Sequence, residues 1–108
     1  MRQTDLTTEQ LISALNAPRR PFPRCFYVNE LGEMARQGDA AAEAAVRAFL
    51  DPEYGDAERA SAYVHLMSLK HAMAAATKSA LHEFADQTAN EAILEWAKRE
   101  HDILPPES

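Results

Sequence analysis

The chain contains little glycine and almost no cysteine. Its 108 residues include three glycines and a single cysteine, Cys25. One cysteine cannot form an internal disulfide, and a lone thiol suits a reducing compartment such as the cytoplasm. Because the composition is rich in alanine and poor in glycine, it favours helix over sheet. We therefore expect an all-α protein that resides in the cytoplasm.

Long apolar runs and an excess of basic residues are also missing. No apolar segment approaches the ~20 residues that span a bilayer, and the opening residues lack the basic-then-apolar layout of a signal peptide. The formal net charge of −6 repels the phosphate backbone of nucleic acids and anionic lipid headgroups. The sequence thus argues against a membrane protein and against a general nucleic-acid binder.

A chain of this length has room for one domain with one modest core. We divide it into an N-terminal helix with a Pro/Arg-rich arm (1–25), a repeat-like helical body (26–102) and a tail (103–108). Residues 1–25 carry four arginines and two acidic residues, whereas residues 26–108 carry seven basic and fifteen acidic residues. The basic charge is therefore concentrated at the front of an acidic protein.

Capping signals and helical periodicity predict the first three helices. Thr7 and Gln10 form a capping-box pattern that begins the first helix. Three prolines in APRRPFPRC (17–25) then predict an extended connector. A second helix from Phe26 ends at Gly38, and Asp39 caps a third that runs to about Leu50.

The second half of the chain is predicted to hold three more helices. Pro52 ends the third helix and Asp56 is placed to cap the fourth, which we expect to be the most buried element. Thr88-Ala89-Asn90-Glu91 reads as a second capping box before the last helix. Residues 70–77 contain no glycine or proline, so a continuous helix from 57 to 86 is compatible with the pattern. We nevertheless predict a break within residues 70–77, because the sequence repeats and a tight turn separates the repeated motifs in the first copy.

The repeat has a period near thirty-five residues. Tyr27-Val28 recurs as Tyr63-Val64, and AVRAFLD (45–51) recurs as ALHEFAD (80–86). Such spacing is typical of stacked antiparallel α-hairpins, each of which needs a neighbour to bury its apolar face. The segment LGEMARQGDAAAEAAVRAFLDPEYGDAERASAYVHLMSL (31–69) resembles a HEAT-type repeat, with its Gly-Asp turn and its alanine-rich second helix ending in Leu-Asp-Pro. A plain helical bundle is the alternative architecture.

The resemblance implies a non-catalytic protein-binding or scaffold domain without a cofactor, whose partner is another protein or a second copy of the chain. No Gly-rich phosphate loop, HExxH motif or nucleophile elbow is present, which agrees with a non-enzymatic role. The alternative is a helical bundle that binds a small molecule or a metal and has an accessory enzymatic role. Its metal site would consist of His71, His82 and Asp86, which share a face if the fourth and fifth helices form one rod.

The arm PRRPFPRCFY is the most unusual chemical feature. A basic, extended segment with aromatic residues can dock in a groove or on an acidic surface, including that of a second copy. Alternatively, the aromatics close the end of the helical body and the arginines stay solvated. For Cys25, the nearby Arg20 and Arg24 would favour the thiolate, whereas the plainer reading is an incidental thiol. The residues that we predict to contact a partner are Arg19, Arg20, Phe22, Arg24 and Tyr54, the last as an exposed turn residue.

Overall fold

The structure is a computed structural model that describes residues 4–106, except for the side chain of residue 71. Within these residues the chain forms six α-helices and no strand, which confirms the all-α prediction. The helices are α1 (Thr8–Leu15), α2 (Arg24–Arg36), α3 (Ala40–Ala48), α4 (Asp56–Met67), α5 (Ala75–Asp86) and α6 (Glu91–His101). Short 3₁₀ turns at Lys70–Ala72 and Thr88–Asn90 precede α5 and α6. Among the described helices, none is both long and apolar enough to cross a membrane.

Two of the predicted helix caps are present, and two are not. The amide of Gln10 donates to Thr7 Oγ1 at 3.2 Å while the Thr7 amide donates to Gln10 Oε1 at 2.9 Å, and Asp39 Oδ1 accepts from the Ala42 amide at 3.1 Å. At α4 the cap position is Gly55, so Asp56 is the first helical residue and lies where a negative charge favours the helix dipole. The predicted box before α6 is instead a 3₁₀ turn.

The helix contacts are partly those of stacked hairpins. Alternate helices contact one another along the chain: α1 with α3, α2 with α4, α3 with α5, and α4 with α6. The consecutive pairs α1–α2, α2–α3, α3–α4 and α4–α5 also pack together. The 3₁₀ turn at Thr88–Asn90 contacts both α5 and α6 and links them.

The most buried helix is α2 and not α4, so our expectation for α4 is wrong. Six residues of α2 are buried, compared with four of α4. The reason is that α2 is covered by α1, α3 and α4, whereas α4 leaves one side open. The buried residues of α2 are Tyr27, Val28, Glu30, Leu31, Gly32 and Ala35.

The predicted break between α4 and α5 is present, although no glycine or proline causes it. Lys70 adopts a left-handed backbone conformation with φ 54°, and Met73 and Ala74 are extended. The new helix has no side-chain cap of its own. Its cap comes from α3, because the buried carboxylate of Glu43 accepts hydrogen bonds from the Ala74 amide at 2.7 Å and from Thr77 Oγ1 at 2.5 Å.

Two arginines complete the contacts around α5. Arg47 Nη1 donates to Thr77 Oγ1 at 3.0 Å. Arg59, which is buried, donates from Nε to the Leu50 carbonyl at 3.2 Å and lies over the Phe84 ring at 5.1 Å. It thereby satisfies a carbonyl at the end of α3 while the guanidinium packs on an aromatic face.

We predict that Glu43→Ala lowers the free energy of unfolding by about 2–3 kcal/mol, because it leaves the part-buried Ala74 amide and the buried Thr77 hydroxyl without their charged acceptor. Urea denaturation measures this loss, and hydrogen exchange should show faster exchange of the Ala74 amide. Glu83→Ala is the matched control, since Glu83 is exposed on α5, and should change stability by less than about 0.5 kcal/mol. Equal losses in both variants would contradict the capping role of Glu43.

Candidate functional site

A groove of about 760 Å³ runs between α4 and α6 and is bordered by α2. It is open to solvent. Its floor consists of small and apolar residues of the two helices, namely Ala57, Ala60 and Val64 of α4 and Ala92, Ile93 and Trp96 of α6. The α4 residues share one face because their spacing of three and four matches the helical turn. Alanines at these positions leave space between the two helices that larger side chains would fill.

Hydrogen-bonding groups of α2 and α4 also line the groove. Asn29 Oδ1 accepts from Ser61 Oγ at 2.8 Å and lies 3.0 Å from His65 Nε2, while Arg36 Nη2 lies 3.4 Å from His65 Nδ1. A guanidinium can only donate, so Nδ1 is the acceptor and Nε2 carries the proton that His65 donates to Asn29. His65 is thereby held as one neutral tautomer.

The protonation state of His65 follows from the same surroundings. Burial lowers the pKa of His65, the positive charge of Arg36 lowers it further, and Glu33 partly opposes both effects. Glu33 also pairs with Arg36 at 3.0 Å. His65 is therefore neutral at physiological pH, and a second proton would face the Arg36 guanidinium.

Gly32 makes this position of His65 possible. A glycine inside a helix destabilises it by about 1 kcal/mol relative to alanine, and Gly32 is in the middle of α2. A Cβ atom at Gly32 would lie 2.4 Å from Cγ and Nδ1 of His65. The glycine is explained by the imidazole ring that packs directly on its backbone.

We predict that Gly32→Ala destabilises the protein by about 1–2 kcal/mol, because the ring is held by Asn29 and Arg36 and has to be displaced. In a His65→Ala background the same change should instead stabilise by up to about 1 kcal/mol, since only helix propensity then counts. The measurement is a double-mutant cycle of unfolding free energies. Two equal effects of Gly32→Ala would show that the ring does not require the glycine.

The lowered pKa of His65 predicts a pH dependence of stability. Above about 6.5, the ordinary histidine pKa, the folded and unfolded chains both hold the residue neutral and there is no penalty. As the pH falls below this value, the unfolded chain takes up the proton first, so the free energy of unfolding decreases until the pH passes the folded pKa. His65→Gln should reduce the loss between pH 7.5 and 5.5 in urea titrations.

His82→Gln is the control for this experiment, because the half-buried His82 lies on α5 away from the groove. A reduction of the loss between pH 7.5 and 5.5 as large as that in His65→Gln would contradict a specific role of His65. Asp39, whose pKa is lowered chiefly by its hydrogen bond from Thr8, loses its contribution at more acidic pH and does not interfere. An unchanged slope in His65→Gln would contradict the assignment.

The polar groups of the groove are engaged with one another. The Ser61 hydroxyl donates to Asn29 Oδ1. His65 Nε2 faces the same Asn29 oxygen, and His65 Nδ1 faces Arg36. The groove therefore offers apolar area, an amide and a guanidinium to a ligand.

The predicted metal site depended on one continuous helix through residues 70–77, and that condition is not met. His82 and Asp86 both lie on α5, which is separate from α4. The side chain of His71 lies outside the described residues. Among the residues that the structure describes, no group of three His, Cys, Asp or Glu side chains could hold a metal ion.

The predicted partner-binding residues are brought together in part. The Arg24 guanidinium lies 5.7 Å from the centre of the Tyr54 ring, so the arm meets the loop between α3 and α4. Phe22 is exposed and stacks on Phe26 at 4.2 Å, and Arg19 and Arg20 are exposed. Tyr54 is half-buried against Phe49 at 4.6 Å, so its prediction as an exposed turn residue is wrong.

Cys25 agrees with the plainer of its two readings, an incidental thiol, and not with a thiolate. Burial raises the pKa of the thiol above its ordinary value, and the negative charge of Glu58 raises it further. The predicted effect of Arg20 and Arg24, a lowered thiol pKa, is therefore wrong. A protonated thiol is a poor nucleophile, so Cys25 adds no reactive group to the surface.

The groove itself was missed by the sequence reasoning, although the repeat carried a usable signal. Asn29 and His65 directly follow the two copies of Tyr-Val and are thirty-six residues apart. Equivalent positions of stacked repeats lie side by side, so a polar pair at this offset indicates contact.

In comparisons with known proteins, no family model, curated protein or solved structure matches the chain.

Proposed function

We propose that the protein is a non-catalytic domain that binds an amphipathic helix of another protein in the groove between α4 and α6. The observation that carries this proposal is the open, alanine-lined groove with Trp96 on its wall. Rows of small residues allow a third helix to approach closely, and a helix in an apolar groove is a common mode of peptide recognition. Trp96 is partly exposed, and tryptophan is enriched among residues that dominate binding energy.

Charge favours a partner helix with lysine or arginine beside its apolar face. Residues 26–108 carry eight more acidic than basic residues. Asp56 lines the groove and is exposed, whereas the charge of Arg36 is already paired with Glu33. Opposite charges at the rim speed association and select the partner more than they add affinity.

The resemblance of residues 31–69 to a HEAT-type repeat supports the same proposal. We propose that the chain is a short HEAT-like array. Equivalent residues of the two copies share their environment: Tyr27 and Tyr63 are fully buried, and Phe49 and Phe84 are almost so. Arrays of this kind usually present a helical surface to a partner. The lone thiol of Cys25 supports a location in the cytoplasm.

We predict that Ala57→Glu and Ala92→Glu abolish partner binding, because each adds a bulky charge to the apolar floor. Both alanines are exposed helical residues, so the variants should fold. Ala44→Glu is the matched control, an exposed alanine on α3 outside the groove. The measurement is affinity capture from the native host with quantitative mass spectrometry, followed by titration with the identified partner.

The proposal is supported if the original chain and Ala44→Glu both retain the same protein, and if both groove variants bind that protein with an affinity at least about tenfold lower. Hydrogen exchange on the complex should then show protection of α4 and α6. Equal retention by all four chains would exclude the groove as the binding surface and overturn the proposal.

A small-molecule ligand is the second candidate, and the size of the groove favours it. Its volume lies within the ~300–1,000 Å³ typical of ligand pockets. Arg36, Asn29 and Ser61 would orient a polar group of such a ligand while Trp96 covers its apolar body. Native mass spectrometry of protein purified from the host distinguishes the two, because a bound metabolite that Ala92→Glu removes would favour the small molecule.

A further inference from the structure

Two large hydrophobic side chains are exposed in the part of the chain that the structure describes. They are Phe22, which is 42% exposed, and Leu104, which is 64% exposed. Phe22 belongs to the basic arm before α2, and Leu104 belongs to the segment after α6. Neither residue lines the groove between α4 and α6.

The arm surface around Phe22 is basic and aromatic. Phe22 stacks on Phe26, and Arg24 lies over Tyr54. Arg19 and Arg20 are exposed and have no ion-pair partner among the described residues. We call Arg19, Arg20, Phe22, Arg24 and Tyr54 the arm patch.

The segment after α6 has the opposite character. Asp102 ends the helix with φ 56° and is exposed, and the Ile103 amide donates to the Ala97 carbonyl at 3.2 Å, which fixes where the segment leaves the helix. Leu104, Pro105 and Pro106 follow, and the sequence continues with Glu107. Because a residue before proline favours an extended backbone, Leu104 and Pro105 are preset for an extended ligand. We call residues 102–106 the tail segment.

We propose that the tail segment of one copy binds the arm patch of a second copy. The two surfaces are complementary in charge, since the arm patch carries three arginines and the tail segment carries the exposed carboxylate of Asp102. They are also complementary in shape and polarity, because proline-rich extended segments dock on aromatic surfaces and Leu104 can cover the exposed part of Phe22. Within one copy the contact is not made, as both side chains remain exposed.

Each copy carries both surfaces, so two copies can exchange tail segments in a closed two-fold dimer. One such contact is smaller than the ~1,200 Å² of a stable interface, so the association should be weak and should depend on both contacts together. Because the attraction is between exposed charges, added salt should weaken it.

The test is sedimentation equilibrium of the full chain from about 10 μM to about 1 mM, the range in which weak interfaces associate. We expect a monomer–dimer equilibrium that Phe22→Ala or Leu104→Ser weakens by roughly tenfold or more, as for central contact residues. The double variant Arg19→Glu with Arg20→Glu should weaken the association as well. The control pair Lys70→Glu with Lys78→Glu changes the net charge equally at exposed sites elsewhere and should leave the association unchanged.

Mixing separates this contact from any other mode of association. A Phe22→Ala copy keeps its tail segment and a Leu104→Ser copy keeps its arm patch, so an equimolar mixture regains one of the two contacts and should associate more than either variant alone. Circular dichroism establishes that each variant is folded. The proposal is overturned if the original chain stays monomeric at 1 mM, if the mixture shows no gain, or if the control pair weakens association equally.

Discussion

The fold depends on the carboxylate of Glu43 and the helix start that it caps. Residues 70–77 have the composition of a continuous helix, and an uninterrupted rod through α4 and α5 would be over thirty residues long. Glu43 accepts hydrogen bonds from the Ala74 amide and the Thr77 hydroxyl. These bonds stabilise the start of α5, which lies about thirty residues after Glu43 in the sequence. Because α5 then packs on α3, the chain returns to place α6 against α4. The groove exists only as a result of this return.

A second constraint acts at the polar part of the groove. Gly32 lets the imidazole of His65 pack directly on the backbone of α2, and this brings Asn29 within hydrogen-bonding distance of both Ser61 and His65. Both nitrogens of this partly buried ring have hydrogen-bond partners, so the ring has one orientation and fixes how α2 and α4 sit relative to each other. The two helices thus hold the polar border of the groove in one arrangement.

The helices could be predicted from the sequence because their signals are local. The caps of Thr7 and Asp39 bond to amides three residues ahead. The recurrence of Tyr-Val, and of Phe49 as Phe84, predicted the helix break in residues 70–77. The contacts that define the site join residues about thirty positions apart, such as Arg36 with His65. Periodicity places such residues on a helix face but does not say which faces meet, so the buried arginine at position 59 and the neutral histidine could not be predicted. For the groove, the repeat offset between Asn29 and His65 was the one available signal.

The open groove is itself an argument for an occupant. If stability alone determined α4 and α6, leucine or isoleucine at Ala57, Ala60 and Ala92 would fill the space between them and bury more apolar area, at about 25 cal/mol per Å². The core elsewhere combines large side chains such as Val46 and Phe49 with alanines that are fully covered, such as Ala62 of α4. In contrast, Ala57 and Ala60 of α4 line the groove, where apolar cover is incomplete. In our proposal a helix of another protein supplies the missing cover, and the area that it buries is the area that the alanines leave exposed.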